Sequence, residues 1–235
     1  MVSPAQARNL LIPFGLNLAA SQIDQILTYL DLLLRWNRRI NLTAVRSADE
    51  CLTRHFGESL YLARWVELSG TSLDVGSGAG FPGLALKIVF PALQSTLLEP
   101  IAKKRAFLKE VVRACEMSGV EVRPERLEEL VGHGGRDIDE PASRAVFGSI
   151  TMRAVGRLPS LVGTATCCLR SGGRLCLWVG REQARELIEA EESPLVWQAP
   201  IAIPLATRRE ILVGMKLAPG AVGARNASER ETSRP

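Results

Sequence analysis

Residues 73–83 read LDVGSGAGFPG and combine an acidic side chain, Asp74, with four closely spaced glycines. A short apolar run precedes the glycines, and a helix-like segment follows them. This order predicts a strand, a glycine-rich turn and a helix, so backbone N–H groups collect at a helix N-terminus, where ligands bind. Glycine also lets a ligand approach the backbone closely. The segment is therefore a candidate nucleotide-binding loop.

Three kinds of nucleotide-binding loop compete for this segment, beside a plain glycine turn without a ligand. A phosphate-binding loop needs a lysine after its last glycine, but Leu84 follows Gly83. The dinucleotide pattern GxGxxG is not met when counted from Gly76, and an acid directly before the loop is not part of it. The third pattern, D-x-G-x-G-x-G, is typical of the S-adenosylmethionine loop of Rossmann-like methyltransferases. DVGSGAG matches it at every position.

A second acid favours the third alternative. The run QSTLLEP brings Glu99 to the end of the next predicted strand, 25 positions after Asp74. An acid there is placed to accept hydrogen bonds from both ribose hydroxyls, whereas the simpler alternative is a surface acid. Open α/β sheets bind ligands at the C-terminal ends of their strands, where both acids are expected.

Arg153 follows the strand-like run SITM and would lie at the same edge of a parallel sheet. An arginine there suits a carboxylate, a phosphate or the O6 and N7 edge of guanine, whereas the simpler alternative is a solvated strand-end arginine. The chain around it has no [DN]PP[YF] tetrapeptide for exocyclic amines and no Pro-Cys dipeptide for pyrimidine C5. Guanine N7 already carries a lone pair and needs no strong base, so it is a consistent acceptor.

The elements that must position these residues alternate along the chain. Strand-like runs are separated by helix-like segments at 82–90, 101–118, 158–169 and 181–191; the runs read TSLDV, QSTLLE, VEVR, VFGSITMRA and RLCLWVG. This alternation predicts an α/β fold with a mostly parallel sheet and helices on both faces. VWQAPIAIPL and REILVGMKL then predict a C-terminal antiparallel, hairpin-like pair.

The N-terminal part has helical spacing instead, with Ser21 as a candidate N-cap; its helix-like segments are 4–14, 20–39 and 48–66. In this part, Asn41 and Thr43 are candidates to fix the chain after the long helix, and His55 is expected to be an internal, hydrogen-bonded histidine. The chain is therefore divided into a helical part, a Rossmann-like domain and a disordered tail, at 1–66, 67–217 and 218–235. The segment from Gly132 to Pro141, GHGGRDIDEP, is predicted to be a surface loop.

Basic residues form two clusters in a chain of 235 residues with a net charge of +4. One cluster is Lys103, Lys104 and Arg105, on a helix whose core face is expected to hold Ala102, Ala106, Phe107 and Val111. The other includes Arg38 and Arg39. Any one of these residues could simply be a solvated surface residue, but the presence of two clusters favours contacts with RNA phosphates.

Other composition features exclude several classes of protein. The five cysteines form no CxxC pair and there are two histidines, so we expect reduced thiols and no metal. No apolar run reaches the roughly 20 residues that span a bilayer. A signal-peptide pattern is also missing from the N-terminus. We therefore expect a cytoplasmic protein without membrane contact.

Four segments together resemble one known family: WNRRINLTAVRSADECLTRHFGESL, LDVGSGAGFPGLALKIVFP, LLEPIAKKRAFLKEVV and TMRAVGRLPSL. They are similar, in order, to the bacterial small-subunit ribosomal RNA guanine-N7 methyltransferases, also called the glucose-inhibited division B family. The resemblance implies a class I, Rossmann-like methyltransferase fold with a small N-terminal helical part. It also implies S-adenosylmethionine as cofactor and a guanine in the 530 loop of 16S ribosomal RNA as acceptor. We expect a monomer whose partner is 16S ribosomal RNA, free or in the small subunit.

The resemblance also implies site residues. Leu127 and Glu128, in RPERLEEL, are expected near the adenine, and Arg153 at the presumed acceptor site as the catalytic candidate. The family's S-R-A motif reads Met152-Arg153-Ala154 here, which puts a role for a hydroxyl there in doubt. Together with Arg153, the expected cofactor-binding set is Asp74, Gly76, Ser77, Gly78, Gly80, Phe81, Glu99, Leu127 and Glu128. The RNA-binding set is Lys103, Lys104, Arg105, Arg38 and Arg39.

Overall fold

The computed structural model describes residues 2–132, 146–190, 193 and 195–218. The surface loop predicted up to Pro141 lies outside these residues except for Gly132. The predicted tail lies outside them from residue 219 onward. Within the described residues, no helix is both long and apolar enough to cross a membrane.

A mixed, mostly parallel sheet forms the centre of the fold. Its strands are β1 Thr71–Val75, β2 Gln94–Leu98, β3 Val120–Arg123, β4 Phe147–Arg153, β5 Leu169–Gly180, β6 Leu195–Trp197, β7 Ile201–Ala202 and β8 Arg209–Lys216. The order across the sheet is β3-β2-β1-β4-β5-β8-β6, and β7 pairs with β8. The pairs from β3 to β5 are parallel, whereas β8 is antiparallel to β5, β6 and β7. The predicted fold class is confirmed.

The predicted C-terminal pair differs in detail from the structure. VWQAPIAIPL contains two short strands, β6 and β7, rather than one. The partner strand β8 lies between β5 and β6, so the antiparallel strands extend the sheet beyond β5. Pro200, between the two short strands, has no N–H to donate to a ladder, which is consistent with the interruption.

Helices flank the sheet at the predicted positions. They are α1 Pro4–Leu11, α2 Ala20–Asn37, α3 Ala48–Glu50, α4 Glu58–Leu60, α5 Gly83–Val89, α6 Ala102–Ala114, α7 Leu127–Gly132, α8 Leu158–Cys168 and α9 Arg181–Glu189. A π-helical segment, Cys51–Gly57, joins α3 to α4. Ser21 is not the N-cap of α2, because Ala19 takes that position and its N–H donates to the Gln22 side chain. The short α7 was not predicted.

Two apolar clusters fill the two faces of the sheet. On one face, Ile26 of α2 and Phe56 of the π-helical segment belong to the same buried cluster as Leu97 of β2 and Trp178 of β5. On the other face, Leu73 of β1 belongs to a cluster with residues of α8 and α9. The helices before β1 therefore share a core with the sheet. The division into domains at residue 66 stays a prediction.

The turn after α2 is organised by Asn37, which is buried at its C-terminal end. The Asn37 side-chain oxygen accepts hydrogen bonds from the N–H groups of Leu42 and Thr43, at 2.9 and 3.0 Å. Its amide nitrogen donates to the carbonyls of Thr43 and Val45. Asn41, which the sequence suggested for this role, is exposed, so that prediction is wrong. Thr43 does contribute, because its hydroxyl accepts the Val45 N–H.

We expect Asn37→Ala to lower the free energy of unfolding by about 3 kcal/mol, because it leaves buried backbone groups without hydrogen-bond partners. Urea unfolding followed by circular dichroism measures this change. Asn41→Ala is the matched control and should change stability by less than about 0.5 kcal/mol. Equal effects of the two substitutions would contradict the role assigned to Asn37.

Candidate active site

The glycine-rich loop connects β1 to α5 at the C-terminal edge of the sheet. Gly76, Gly78 and Gly80 all have positive φ, at +67°, +58° and +86°. Gly80 is also sterically constrained, because a Cβ there would lie 2.2 Å from the Tyr29 hydroxyl oxygen. Buried Ser77 fastens the loop to both strands, since its N–H donates to the Leu98 carbonyl and its hydroxyl donates to the Asp74 carbonyl. The loop conformation is therefore fixed by its own sequence and its neighbours.

Asp74 lies at the base of the loop and is 3% exposed. Its Oδ1 accepts a hydrogen bond of 2.7 Å from the Thr151 hydroxyl, on the neighbouring strand β4. Its Oδ2 lies beside Gly83, where a Cβ would come within 2.6 Å, and has no hydrogen-bond partner in the part of the chain that the structure describes. Burial raises the pKa of Asp74 to about 6, against the lowering effects of the Thr151 hydroxyl, the Ser77 hydroxyl and the backbone N–H of Gly83. The site therefore holds a desolvated carboxylate with one unused oxygen.

Glu99 follows β2 and joins the two strand ends. Its Oε2 accepts the N–H of Gly78 at 2.9 Å, and its Oε1 accepts the N–H of Ile101 at 2.8 Å. Val75 and Leu98 are paired in the parallel ladder, so the glycine loop and Glu99 leave the sheet side by side. Each carboxylate oxygen can accept a further hydrogen bond. Glu99 thus presents a fixed acceptor at the rim of the loop.

Phe81 connects the loop to the N-terminal helices. Its ring stacks on Tyr29, with centroids 5.2 Å apart and planes 6° apart, and on His55, with centroids 5.0 Å apart. Phe56 packs against the Phe81 ring edge-on, and the Tyr29 hydroxyl donates to the carbonyl of Ala79. The Phe81 side chain therefore supports the loop from the side of the helices.

His55 is an internal histidine, as the sequence predicted. Its Nε2 lies 2.7 Å from the Thr43 hydroxyl oxygen. Burial and the nearby guanidinium groups of Arg153, Arg54 and Arg209 lower the pKa of His55 to about 3. The ring is therefore neutral at physiological pH and is occupied by a structural contact.

Arg153 ends β4, at the predicted edge, but its guanidinium points to the helical segment before β1. Its Nη2 donates to Glu58 Oε2 at 2.8 Å and to the Arg54 carbonyl, and its Nη1 donates to the Ser59 hydroxyl. Glu58 is 3% exposed and also binds Arg209, at 2.5 Å. Burial lowers the pKa of Arg153 to about 10, while Glu58 opposes this shift. These contacts place Arg153 in an Arg-Glu-Arg arrangement around the buried Glu58.

The predicted adenine-side residues follow β3, next to the end of β2. The Glu99 N–H donates to the Arg123 carbonyl, which brings the start of α7 toward this edge. The Leu127 side chain is 1% exposed and belongs to the core, so its backbone is the part that can face a ligand. Glu128 is exposed in the first turn of α7.

The predicted RNA-binding residues separate into two groups. Lys103, Arg38 and Arg39 are exposed and line one concave surface between α2 and α6. Arg105 instead donates to the carbonyls of Glu99 and Pro100, and Lys104 is half-buried. The prediction of the buried face of α6 was partly wrong. Phe107 and Val111 are buried as predicted, together with Leu108, whereas Ala102 and Ala106 are exposed. Apolar side chains, rather than the small alanines, set which face is buried.

Sequence reasoning missed three residues that hold the site together. Thr151 binds Asp74, Tyr29 binds the loop, and Glu58 binds Arg153. Thr151 could have been found, because it lies two positions before Arg153 on the strand next to β1. Tyr29 and Glu58 gave no such signal, because their contacts are 50 and 95 positions away along the chain.

The described residues suit a nucleoside cofactor with a cationic group. Gly78 leaves the middle of the loop open, since a Cβ there would meet nothing closer than 3.7 Å. Two carboxylates flank this backbone, one with an unused oxygen. No group of three or more His, Cys, Asp or Glu side chains is arranged to hold a metal within the residues that the structure describes.

The sheet order and this edge define the class of Rossmann-like methyltransferases. Among solved structures, the fibrillarin/Nop5p complex aligns with a TM-score of 0.55 and 13% identity, over 69% of this chain and 82% of that chain. The ribosomal protein L11 methylase from Lactobacillus delbrueckii subsp. bulgaricus aligns with a TM-score of 0.54 and 15% identity, over 70% and 79%. These similarities establish the fold.

Within this class, the sequence identifies the family. The family model described as rRNA small subunit methyltransferase G matches residues 22–209, and the chain belongs to this family. The ribosomal RNA small subunit methyltransferase G of Chloroflexus aggregans is 39% identical over 88% of this chain and 87% of its own. The protein of the same name from Roseiflexus castenholzii is 37% identical over 88% of each chain. The resemblance found in the sequence is confirmed.

We expect Asp74→Asn to stabilise the cofactor-free protein at pH 7 by about 2 kcal/mol relative to the wild type. An acid whose pKa is higher in the folded state binds more protons folded than unfolded, so the wild type loses stability as the pH rises from about 4 to about 6. The variant lacks this loss. Urea unfolding from pH 4 to pH 8 measures the difference between the two proteins.

The exposed Glu121 of β3 serves as the control site for this prediction, and Glu121→Gln should follow the wild-type pH dependence. A stability difference between Asp74→Asn and wild type that stays constant over this pH range would contradict the raised pKa of Asp74.

Proposed function

We propose that this protein transfers a methyl group from S-adenosylmethionine to N7 of a guanine in the 530 loop of 16S ribosomal RNA. The observation that carries the proposal is the rim formed by Glu99 and the Gly78 N–H, in a chain of the rRNA small subunit methyltransferase G family. Another RNA base or a small molecule as acceptor is not favoured by any contact in the described residues. The two relatives named above carry a ribosomal RNA methyltransferase name, which supports RNA as the substrate.

The residues of the loop edge suit each part of such a cofactor. Glu99 would accept hydrogen bonds from the ribose hydroxyls while it holds the loop. The unused Oδ2 of Asp74 would attract the ammonium group of the methionine part, directly or through water. The backbone at Leu127 and the Glu128 side chain would lie on the adenine side. When bound, the cofactor supplies an electrophilic methyl group on a sulfonium.

The chain's own contribution to methyl transfer would be positioning. In the transfer, the sulfur–carbon bond breaks, the N7–carbon bond forms, and the positive charge passes from sulfur to the guanine ring. Guanine N7 uses its own lone pair, so no base is needed, in agreement with the neutral and occupied His55. The nearby carboxylates of Asp74 and Glu99 would stabilise the positive charge both on the sulfonium and, after the transfer, on the guanine ring.

Arg153 remains our candidate at the acceptor side of the site. The hydrogen bonds of its guanidinium are all with residues 54–59, so a direct bond to guanine O6 or N7 requires the exchange of at least one of them. In its present position, the guanidinium fixes the helical segment that packs on Phe81. We therefore propose that Arg153 acts by positioning this wall of the site.

Tritium transfer from labelled S-adenosylmethionine tests the proposed reaction. We expect label in 16S RNA when assembled small subunits or naked RNA are offered, and none in a metabolite extract. Chemical cleavage at N7-methylguanine then maps the modified nucleotide. Transfer to the metabolite extract alone, or to a ring position other than N7, would contradict the proposal.

We expect Glu99→Gln to weaken cofactor binding at least about tenfold, because the ribose loses a charged acceptor, while RNA binding changes little. Isothermal titration calorimetry with S-adenosylmethionine measures the first quantity, and a filter-binding assay measures the second. Glu121→Gln, an exposed change of the same kind on β3, is the control. Equal cofactor affinity in both variants would remove Glu99 from the binding site.

A further inference from the structure

A concave surface outside the cofactor edge lies between the end of α2 and the face of α6 that carries Lys103 and Glu110. It encloses about 620 Å³ and is here called the α2–α6 groove. Its lining includes Trp36, Arg38, Arg39, Ile40, Lys103 and Glu110. Its volume is typical of a small-ligand site rather than of a single ion.

The floor of the groove is aromatic and fixed. The Trp36 indole N–H donates to Glu110 Oε2 at 2.9 Å, and its ring packs edge-on against Phe107, with centroids 5.7 Å apart. Trp36 is nevertheless half-exposed, and Ile40 lies beside it as a second partly exposed apolar side chain. A held, half-exposed indole is suited to stacking with a planar ring.

The rim of the groove is cationic. Arg38, Arg39 and Lys103 are exposed, and none has an ion-pair partner among the residues that the structure describes. Arg38 also lines a smaller adjoining pocket with Arg46. The one acid of the groove, Glu110, is bound to Trp36. This balance of charges fits an anion that carries an aromatic ring.

The groove also has a defined position relative to the cofactor edge. Lys103 lies in the first turn of α6, four positions after Glu99, and Arg105 of the same turn holds the Glu99 carbonyl. A polyanion on the rim can therefore extend from the groove to the rim of the glycine loop. The occupant should be a chain, not an isolated nucleotide.

We propose that the α2–α6 groove binds one unstacked nucleotide of the substrate RNA, separate from the methyl acceptor. The base would stack on Trp36 and Ile40, and the adjoining phosphates would bind Arg38, Arg39 and Lys103. This inference rests on the proposed function, because it takes single-stranded RNA as the partner. It assigns to the N-terminal helices a direct role in holding that RNA.

Trp36→Leu tests the stacking contact. The probe is a fluorescein-labelled, single-stranded RNA of 12 nucleotides with the 530-loop sequence, and affinity is measured by fluorescence anisotropy. We expect roughly 5- to 100-fold weaker binding, which is the range for loss of one base–aromatic stack. Trp36→Phe should retain most of the affinity. Trp65→Leu, at a tryptophan that is 59% exposed outside the groove, should bind like the wild type.

The triple change Arg38→Gln, Arg39→Gln and Lys103→Gln tests the rim. We expect the slope of log affinity against log salt to flatten by about 2, since each phosphate contact on a single strand contributes about 0.7. The control triple of equal charge is Lys109→Gln, Arg113→Gln and Arg170→Gln, all exposed outside the groove. It should leave the slope closer to the wild-type value.

Calorimetry with S-adenosylhomocysteine separates these outcomes from a failure of the proposed function. Unchanged cofactor binding by a variant shows that it is folded. If Trp36→Leu does not bind the cofactor, the RNA affinities of Trp36→Phe and of the rim triple test the groove instead. If the groove variants bind the RNA probe and transfer methyl groups like the wild type, the groove does not bind RNA. That result would not contradict the proposed function. If Trp36→Leu weakened the binding of duplex RNA as much as that of the single strand, the stacking role would also be overturned.

Discussion

The carboxylate of Glu99 is the contact on which the candidate site depends. It accepts the N–H of Gly78 and so joins the end of β2 to the glycine loop after β1. A buried carboxylate is stable only when its oxygens are paired, and here two backbone N–H groups pair them before any ligand binds. The acceptor is therefore preorganised: a ribose would find it already oriented and desolvated, which reduces the entropy lost on binding.

Asp74 shows the opposite relation between stability and function. Its burial raises its pKa, and its Oδ2 has no hydrogen bond of normal geometry among the described residues. The carboxylate therefore costs folding free energy that Thr151, Ser77 and the Gly83 N–H offset only in part. Such a group is expected where a cation is to be bound, because an ammonium nearby restores the missing interaction. The loop thus combines one acid that is satisfied by the fold with one that is left for a ligand.

The sequence predicted the parts of this arrangement that depend on local pattern. The alternation of strands and helices located β1 and β3 at their observed bounds, and parallel pairing then brought Asp74 and Glu99 to one edge. Contacts between distant segments were not predictable in this way. Neither the pairing of Arg153 with Glu58 nor the choice of Asn37 over Asn41 follows from spacing, because each depends on how helices pack in three dimensions. The exposed Ala102 of α6 has the same cause: larger apolar side chains determined the buried face.

The helices before β1 are more than a cover for one face of the sheet. Phe81 of the loop is packed between Tyr29 and His55, so the loop cannot shift without disturbing α2 and the π-helical segment. Trp36, in the last turn of the same α2, donates a hydrogen bond to Glu110 of α6, and α6 begins just after Glu99. The groove and the cofactor edge are therefore attached to the same two helices. RNA that stiffens the contact between α2 and α6 would also stiffen the loop and so raise its affinity for the cofactor. By linkage, a bound cofactor would then raise the affinity for RNA by the same factor.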